Sequence, residues 1–412
     1  MLDIKFVKEN KELVKENIKK KFQDQKLPLV DEVVEIYDKV CLLKLEGDNL
    51  RSEKNQASSQ IGLLMREGKK DDAEELKKKV VEINERLTLL EKEEVELNTI
   101  LRAKMMIIPN IIDSTVPIGK DDSCNVEIEK FGEPVVPDFE VPYHADILAS
   151  ISGLDKDSAG RTSGNGFYYL MGDAARIHSA MLSYARDFMI DKGFTYCIPP
   201  FMIRSDVVNG VMSFEEMDAM MYKIEGEDLF LIGTSEHSMI GRFKGQIVDE
   251  ASLPITLTSY SPCFRKEVGA HGIEERGVYR VHQFEKQEMV VLCKPEESMD
   301  WYNKMWSYTV EFFRSLDIPV RTLECCSGDL ADLKVKSCDV EAWSPRQKKY
   351  FEVGSCSTLG DAQARRLGIR TKGENGTYLV NTLNNLVVSI CTHLRESLKS
   401  LNLLRDLMVS NI

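Results

Sequence analysis

The chain is predicted to be an α+β protein: an N-terminal antiparallel helical hairpin, a coiled-coil arm, precedes a domain built on a largely antiparallel sheet flanked by helices. Three observations carry this prediction. Two long heptad patterns follow one another with only a short polar turn between them. The remainder alternates helical and β segments without a repeating βαβ rhythm, which suits an antiparallel sheet with segregated helices. One stretch, 264–292, packs cations, carboxylates and aromatic rings into a strand–loop–strand pattern.

Bulk properties narrow the classes. A length of 412 residues points to more than one domain. No run of about 18 apolar residues occurs, so no membrane partner is expected. Met1-Leu2-Asp3-Ile4-Lys5 lacks an apolar signal core, which predicts a cytoplasmic protein. The ten cysteines form no C-x-x-C pair and the six histidines no H-x-x-x-H pair, so reduced thiols and no structural zinc are expected. The formal net charge of −13 argues against a general polyanion binder, and no DNA partner is expected. It leaves room for a local basic stripe that reads one RNA. Neither G-x-G-x-x-G nor G-x-x-x-x-G-K-[ST] is present, so Rossmann and P-loop readings are unsupported.

Taken in order, Ile4, Val7, Leu13, Val14 and Ile18 recur at helical spacing. Val33, Ile36, Val40, Leu43, Gly47, Leu50, Ala57, Ile61 and Leu64 then step by three and four, with one polar gap at Lys54. After the polar tip Glu67-Gly68-Lys69-Lys70-Asp71-Asp72, Leu76, Val80, Ile83, Leu87, Leu90, Leu97 and Leu101 do the same. The short tip favours two helices of about 35 residues folded back within one chain and spanning roughly 50 Å. A dimerising coiled coil is the competing reading. Pro109 ends the second helix. The expected organisation is an arm over 1–106, a loop-rich linker over 107–142, and a catalytic domain over 143–412.

In that domain, 174–191 reads as an amphipathic helix followed by Phe194-Thr195-Tyr196-Cys197-Ile198-Pro199-Pro200. Gly233-Thr234-Ser235-Glu236-His237 reads either as a helix cap or as a loop that receives a ligand. Phe264-Arg265-Lys266-Glu267 and Arg280-Val281-His282-Gln283-Phe284-Glu285-Lys286-Gln287-Glu288 flank a turn at 269–272. Two antiparallel strands there bring Arg265, Glu267, Arg280, Phe284 and Glu288 within reach of one small ligand. Guanidinium groups grip phosphate through two hydrogen bonds, an aromatic face stacks on a nucleobase, and carboxylates hold an ammonium or a metal. Cys338-Asp339-Val340-Glu341-Ala342-Trp343 and Tyr350-Phe351-Glu352-Val353-Gly354-Ser355 read as two paired strands.

The 264–288 segment resembles motif 2 of the class II aminoacyl-tRNA synthetases, and Arg280-Val281-His282-Gln283-Phe284-Glu285-Lys286 is similar to the seryl-tRNA synthetases. The heptad hairpin, including Leu50-Arg51-Ser52-Glu53-Lys54-Asn55-Gln56, looks like that family's tRNA-gripping arm. The 174–200 segment resembles motif 1, which implies a homodimer. The resemblance implies a serine–tRNA ligase: L-serine and ATP give seryl-adenylate, and tRNA(Ser), with tRNA(Sec) as a second acceptor, takes the seryl group. It assigns Arg265 and Arg280 to catalysis. Serine falls to Thr234, Ser235, Glu236, Glu288 and Asn384. ATP falls to Arg265, Lys266, Glu267, Arg280, Val281, Phe284, Glu352, Val353, Gly354 and Ser355, with Arg265 at the α-phosphate and Phe284 on adenine. Glu352 and Ser355 are the implied Mg²⁺ ligands, and Arg51, Lys54, Lys69 and Lys70 the implied tRNA contacts. After Leu383-Asn384 the pattern departs. Leu386 stands where the family has a hydroxyl residue and Thr392 where it has an arginine, ahead of a terminal amphipathic helix over 394–412. Reduced activity is the expectation from that loss, and an impaired paralogue that binds tRNA or regulates is the alternative.

Overall fold

The structure is a computed structural model and describes residues 1–267, 278, 280–374 and 376–389. The predicted turn at 269–272, Thr392 and the predicted terminal helix lie outside the described residues. The chain divides into two compact units, one holding Leu2–Lys19 and Gln23–Pro109, the other the rest.

In the first unit, α1 (Ile4–Glu9) is capped by Asp3, whose carboxylate accepts from the Lys5 N–H at 2.8 Å. It is followed by α2 (Lys11–Lys20) and two long helices, α3 (Leu27–Arg66) and α4 (Lys70–Met105), joined by a three-residue turn. Pro28 sits in the first turn of α3, where its missing N–H costs nothing. The predicted hairpin is thus present. Its seam buries Val33, Val40, Gly47 and Ala57 from α3 against Ala73, Ile83, Leu87, Leu90 and Leu101 from α4. Ion pairs flank the seam, among them Arg86–Glu46 at 2.7 Å, Lys104–Glu32 at 2.6 Å and Arg51–Glu91 at 3.2 Å. All are solvent-exposed to a large degree, so each contributes about 1 kcal/mol at most and serves register more than stability.

The second unit is built on an eight-stranded sheet. Its strands are β1 (Val126–Phe131), β2 (Thr195–Tyr196), β3 (Ile255–Phe264), β4 (Gln283–Cys293), β5 (Val320–Glu324), β6 (Lys336–Ser344), β7 (Lys349–Thr358) and β8 (Asn381–Ser389). The spatial order is β1-β5-β6-β7-β8-β4-β3-β2, antiparallel throughout except for the β2–β3 edge. β1 lies inside the stretch expected to be a loop-rich linker. Its side chains are almost all exposed, so it carried no apolar face that the sequence could advertise.

The remaining helices are α5 (His144–Ser150), α6 (Lys156–Ser163), α7 (Gly172–Asp191), α8 (Ser205–Val211), α9 (Phe214–Met220), α10 (Ser235–Gly241), α11 (Ser298–Ser315) and α12 (Ala362–Leu367). α7 and α11 cover one face of the sheet, packing Leu182, Ala185, Met189, Met305 and Phe312 on Met289, Val291, Val340, Cys356 and Val387. On the other face Val290 and Leu292 of β4 pack with Met239 and Ile240 of α10 and with Ala364 and Leu367 of α12. Successive β4 residues therefore enter opposite cores, as the two-residue period of a strand requires. Between β7 and α11 the backbone approaches closely. A Cβ on Gly354 would lie 2.8 Å from the Leu386 carbonyl oxygen and 2.9 Å from Thr309 Cγ2.

Two glycines should respond oppositely to alanine. Gly354→Ala forces a methyl into backbone and is expected to lose roughly 1–3 kcal/mol. Gly47 is mid-helix, and a Cβ there meets only the far end of Arg51 at 3.4 Å. Gly47→Ala is expected to gain about 0.5–1 kcal/mol. Urea denaturation of the two variants checks both signs, and a neutral Gly354→Ala would contradict the packing described here.

Candidate active site

A cavity of about 430 Å³ opens on the face of the sheet that carries α10 and α12. Its wall brings together Thr234, Glu236, Arg265, Glu267, Arg280, Val281, Phe284, Glu288, Glu352, Val353, Ser355 and Asn384, all predicted from sequence. They come from four separate places in the chain. β3 and β4 pair antiparallel from Ile255↔Leu292 to Phe264↔Gln283, which sets the residues after β3 beside the start of β4. On β4 the alternation points Phe284, Lys286 and Glu288 into the cavity.

Thr234 is a helix cap, one of the two readings that the sequence left open, and it also lines the cavity. Its hydroxyl caps α10, accepting from the Glu236 N–H at 3.4 Å, and donates to Glu288 Oε1 at 2.7 Å inside the cavity. Glu288 is also ion-paired with Lys286, and both are nearly sealed from solvent. The Glu236 carboxylate accepts from Gln363 Nε2 at 2.8 Å, and the Gln363 carbonyl oxygen accepts from the Thr382 hydroxyl at 2.7 Å. Burial raises the Glu236 pKa, and the Glu288 charge raises it further, with Gln363, Asn384 and Lys286 pulling the other way. Two buried carboxylates thus face a single lysine, an arrangement that a bound ammonium would stabilise.

Arg265 donates from Nε to the Gly233 carbonyl at 3.2 Å, and its guanidinium lies over the Phe284 ring at 5.2 Å. Among the described residues its side chain makes no other hydrogen bond, so its terminal nitrogens are available to a phosphate. Glu267 adopts a positive φ of 43° and receives a hydrogen bond from Arg280 at 3.3 Å. Phe284 and Val281 are buried with Ile147, Leu148 and Ala174 in a small apolar cluster, which holds the aromatic face in place. Glu352 opens onto the cavity, and desolvation followed by the neighbouring Asp339 pushes its pKa up to about 7. A carboxylate so placed, beside the Ser355 hydroxyl, is a fit for a hard divalent cation.

Three predicted residues do not line the cavity. Ser235 is buried as the first residue of α10. Lys266 turns away and donates from Nζ to the Asp218 carbonyl at 3.0 Å. Gly354 has no side chain, and its vacant side faces Thr309. The arm residues lie in the other unit. There Arg51 pairs with Asp48 at 3.0 Å and with Glu91, Lys69 pairs with Glu67 at 2.9 Å, Lys54 is half-buried and Lys70 is exposed. Leu386 does line the cavity, opposite Glu288 in register, with Ser389 in the wall nearby.

Sequence reasoning missed Lys286, Gln363 and His237. Lys286 stood within the recognised stretch and alternates in phase with Phe284 and Glu288, a signal that was present and not used. Gln363 and His237 carried no spacing cue. His237 is buried in the first turn of α10, and among the described residues its Nδ1 has no hydrogen-bond partner. Desolvation first, then Arg265 and Lys286, push its pKa down to about 3. A helix N-terminus likewise disfavours a cation, so the imidazole is neutral at working pH.

The family described as tRNA synthetase class II core domain (G, H, P, S and T) matches residues 220–390, and the family Seryl-tRNA synthetase N-terminal domain matches residues 1–112. A serine–tRNA ligase of Methanoregula boonei is 37% identical over 96% of this chain and 93% of its own length. One from Thermococcus sibiricus is 39% identical over 94% of this chain and 90% of its own. The crystal structure of seryl-tRNA synthetase from Pyrococcus horikoshii complexed with ATP superposes with a TM-score of 0.91 at 36% identity, covering 97% of this chain and 94% of that one.

A pH experiment tests the His237 environment. The unfolded chain takes up a proton at about 6.5, whereas the folded one resists until about 3. The contribution is therefore complete above pH 6.5 and is lost as pH falls, at up to roughly 1.4 kcal/mol per unit. Between pH 7.5 and 5 the parent is expected to lose roughly 1–2 kcal/mol more than His237→Gln. Equal losses in urea denaturation would refute a buried neutral imidazole.

Proposed function

The chain belongs to the seryl-tRNA synthetases, and from that premise we propose how its cavity performs the ligase reaction. The chain is an aminoacyl-tRNA ligase that binds ATP and acts with serine and tRNA. The observation that carries the site assignment is the convergence, in one cavity, of an acidic end and an arginine end drawn from four parts of the chain.

Serine enters with its ammonium toward Glu236 and Glu288. Thr234 holds the Glu288 carboxylate in place, and the raised pKa of Glu236 records a cost that the ammonium relieves. Asn384 and Ser389 supply the polar groups in the wall shared with Leu386. ATP lies with adenine against Phe284, Glu267 on the adenine side, and the backbone at Val281 alongside. Arg265 takes the α-phosphate and Arg280 the terminal phosphates. The serine carboxylate then attacks the α-phosphorus, the bond to the bridging oxygen breaks, and pyrophosphate leaves. Negative charge grows on the α-phosphate oxygens, where a guanidinium already anchored to the Gly233 carbonyl needs no reorganisation. The terminal hydroxyl of the tRNA attacks the seryl carbonyl next and expels AMP. No protein side chain has to act as a nucleophile; positioning and charge stabilisation suffice.

Glu352 with Ser355 would hold Mg²⁺, the fit resting on the raised pKa of Glu352. When bound, Mg²⁺ supplies charge neutralisation across the ATP phosphates. The arm, with Arg51, Lys54, Lys69 and Lys70, is proposed to meet tRNA(Ser), and tRNA(Sec) is a second acceptor on the same resemblance. A homodimer in the cytoplasm completes the reading. Tyr184 and Ile190 of α7, with Ile198 and Met202 beyond it, are large and exposed, which supports burial against a second copy. No DNA or membrane partner is proposed; among the described residues no helix is long and apolar enough to cross a membrane. No observation favours the impaired paralogue.

Serine-dependent ATP–pyrophosphate exchange is the test. Arg265→Ala is expected to lower the exchange rate by roughly 10³-fold or more, and retention of the parent rate would overturn the site. Glu352→Gln is expected to raise the Mg²⁺ concentration needed for half-maximal exchange, with the circular dichroism spectrum unchanged. An unaltered Mg²⁺ dependence would remove Glu352 from the ligand set.

A further inference from the structure

We propose that Cys124 and Cys326 form a reversible thiol–disulfide site, oxidised by a low-molecular-weight disulfide. Two observations bring the two residues together. A Cβ placed on Gly119 would fall 2.2 Å from Cys124 Cβ and 3.1 Å from Cys326 Cβ, so both side chains converge on the space that this glycine leaves empty. The same point is 3.1 Å from Cys124 Sγ. One backbone oxygen, that of Asp121, accepts both the Cys124 N–H at 2.9 Å and the Cys326 thiol at 3.1 Å. A disulfide needs Cβ atoms roughly 3.5–4.5 Å apart, and the two distances to this common point put the Cys124 and Cys326 Cβ atoms at most 5.3 Å apart.

The surroundings hold the two turns in register. The Cys326 N–H donates to Asn125 Oδ1 at 2.9 Å, and Asn125 Nδ2 donates to Asp329 at 2.9 Å. The Ser327 N–H donates to the Pro117 carbonyl at 2.8 Å, and the Gly328 N–H to the Gly119 carbonyl at 2.9 Å. Cys124 is exposed and Cys326 is buried, so the pair has an accessible member and a shielded one. The adjacent Cys325 is engaged elsewhere: its sulfur clusters with Asp329 and Asp339, the donor atoms all within 4.8 Å of one another.

The chemistry is two exchanges. The Cys124 thiolate attacks one sulfur of the external disulfide, a mixed disulfide forms, and the first external thiolate leaves and takes up the proton that Cys124 lost. Cys326 then attacks Cys124 Sγ, the mixed disulfide breaks, and the second external thiolate leaves with the Cys326 proton. Two protein thiols are oxidised and one external disulfide is reduced to two thiols. The product ties the segment ahead of β1 to the turn at Cys326. Residues of both pieces, Asn125 and Asp329 among them, line a second cavity whose wall also includes Glu352 and Ser355.

Oxidised glutathione, alkylation of remaining thiols, digestion without reductant and mass spectrometry test the site on the full chain. The expected result is a cross-linked peptide pair containing Cys124 and Cys326 that disappears with dithiothreitol. Recovery of Cys124 as a lasting glutathione adduct, or alkylated, with Cys326 also alkylated, would overturn the proposal. Cys326→Ser keeps a hydroxyl for the Asp121 carbonyl and is expected to accumulate the Cys124–glutathione adduct that the parent resolves. The same adduct level in both proteins would equally overturn it.

Discussion

The site depends on the register of one strand, β4. It is paired on both sides, with β3 and with β8, and its residues alternate between the ligand cavity and the opposite core. A slip of one residue would exchange Phe284, Lys286 and Glu288 for Glu285 and Gln287. An apolar pattern does little to prevent that slip here, because the first half of the strand is, Phe284 apart, polar on both faces and the second half is apolar on both. Specific polar contacts must do so. Glu285 is held by His178 and Tyr260, Gln287 donates to the Thr258 hydroxyl at 2.6 Å, and Glu288 receives Thr234. Each contact exists in only one register, and together they tie β4 to α7, to β3 and to the cap of α10. The helix that closes the first of them, α7, is thereby part of how the cavity is aligned.

The same cavity keeps its charges in deliberate imbalance. Glu236 and Glu288 share Lys286, Glu352 is raised by Asp339, and Arg265 rests on a carbonyl and an aromatic face rather than on a carboxylate. Such groups are costly in the unliganded protein because their counter-charges are incomplete. On the proposed reading, an ammonium, a phosphate and a divalent cation would each complete one of them, and the substrates would supply the partners that the fold withholds. His237 is the complement to this design: a neutral imidazole between two cations adds no further charge.

Much of this was legible in the sequence. The hairpin was visible because a repeat of three and four over two long stretches survives single departures such as Lys54. The β3–loop–β4 segment was visible because its charged and aromatic residues are close in sequence and its flanks are β-branched. The rest depends on contacts between distant residues. Gln363 reaches Glu236 and Thr382 only once α12 is placed, and nothing local marks it. β1 went unseen because it pairs through backbone groups while exposing its side chains. Gly354 has its reason in the Leu386 carbonyl of β8 and in Thr309 of α11, both far along the chain. Lys266 looked like part of the arginine end, yet it follows the backbone away from it.

The hairpin seam of the first unit is not uniform. Near its root it buries Val33, Val40, Leu101 and Met105, and along its middle Gly47, Ile83, Leu87 and Leu90, whereas toward the turn the buried residues shrink to Ala57 and Ala73. Small residues let the helices approach but remove little apolar surface from water, so the holding force per turn falls along the length. In mechanical terms the hairpin is a graded spring, stiff at the root and compliant at the tip. A load applied at the tip would be absorbed by local bending there, and the deep aliphatic packing at the root would keep its geometry.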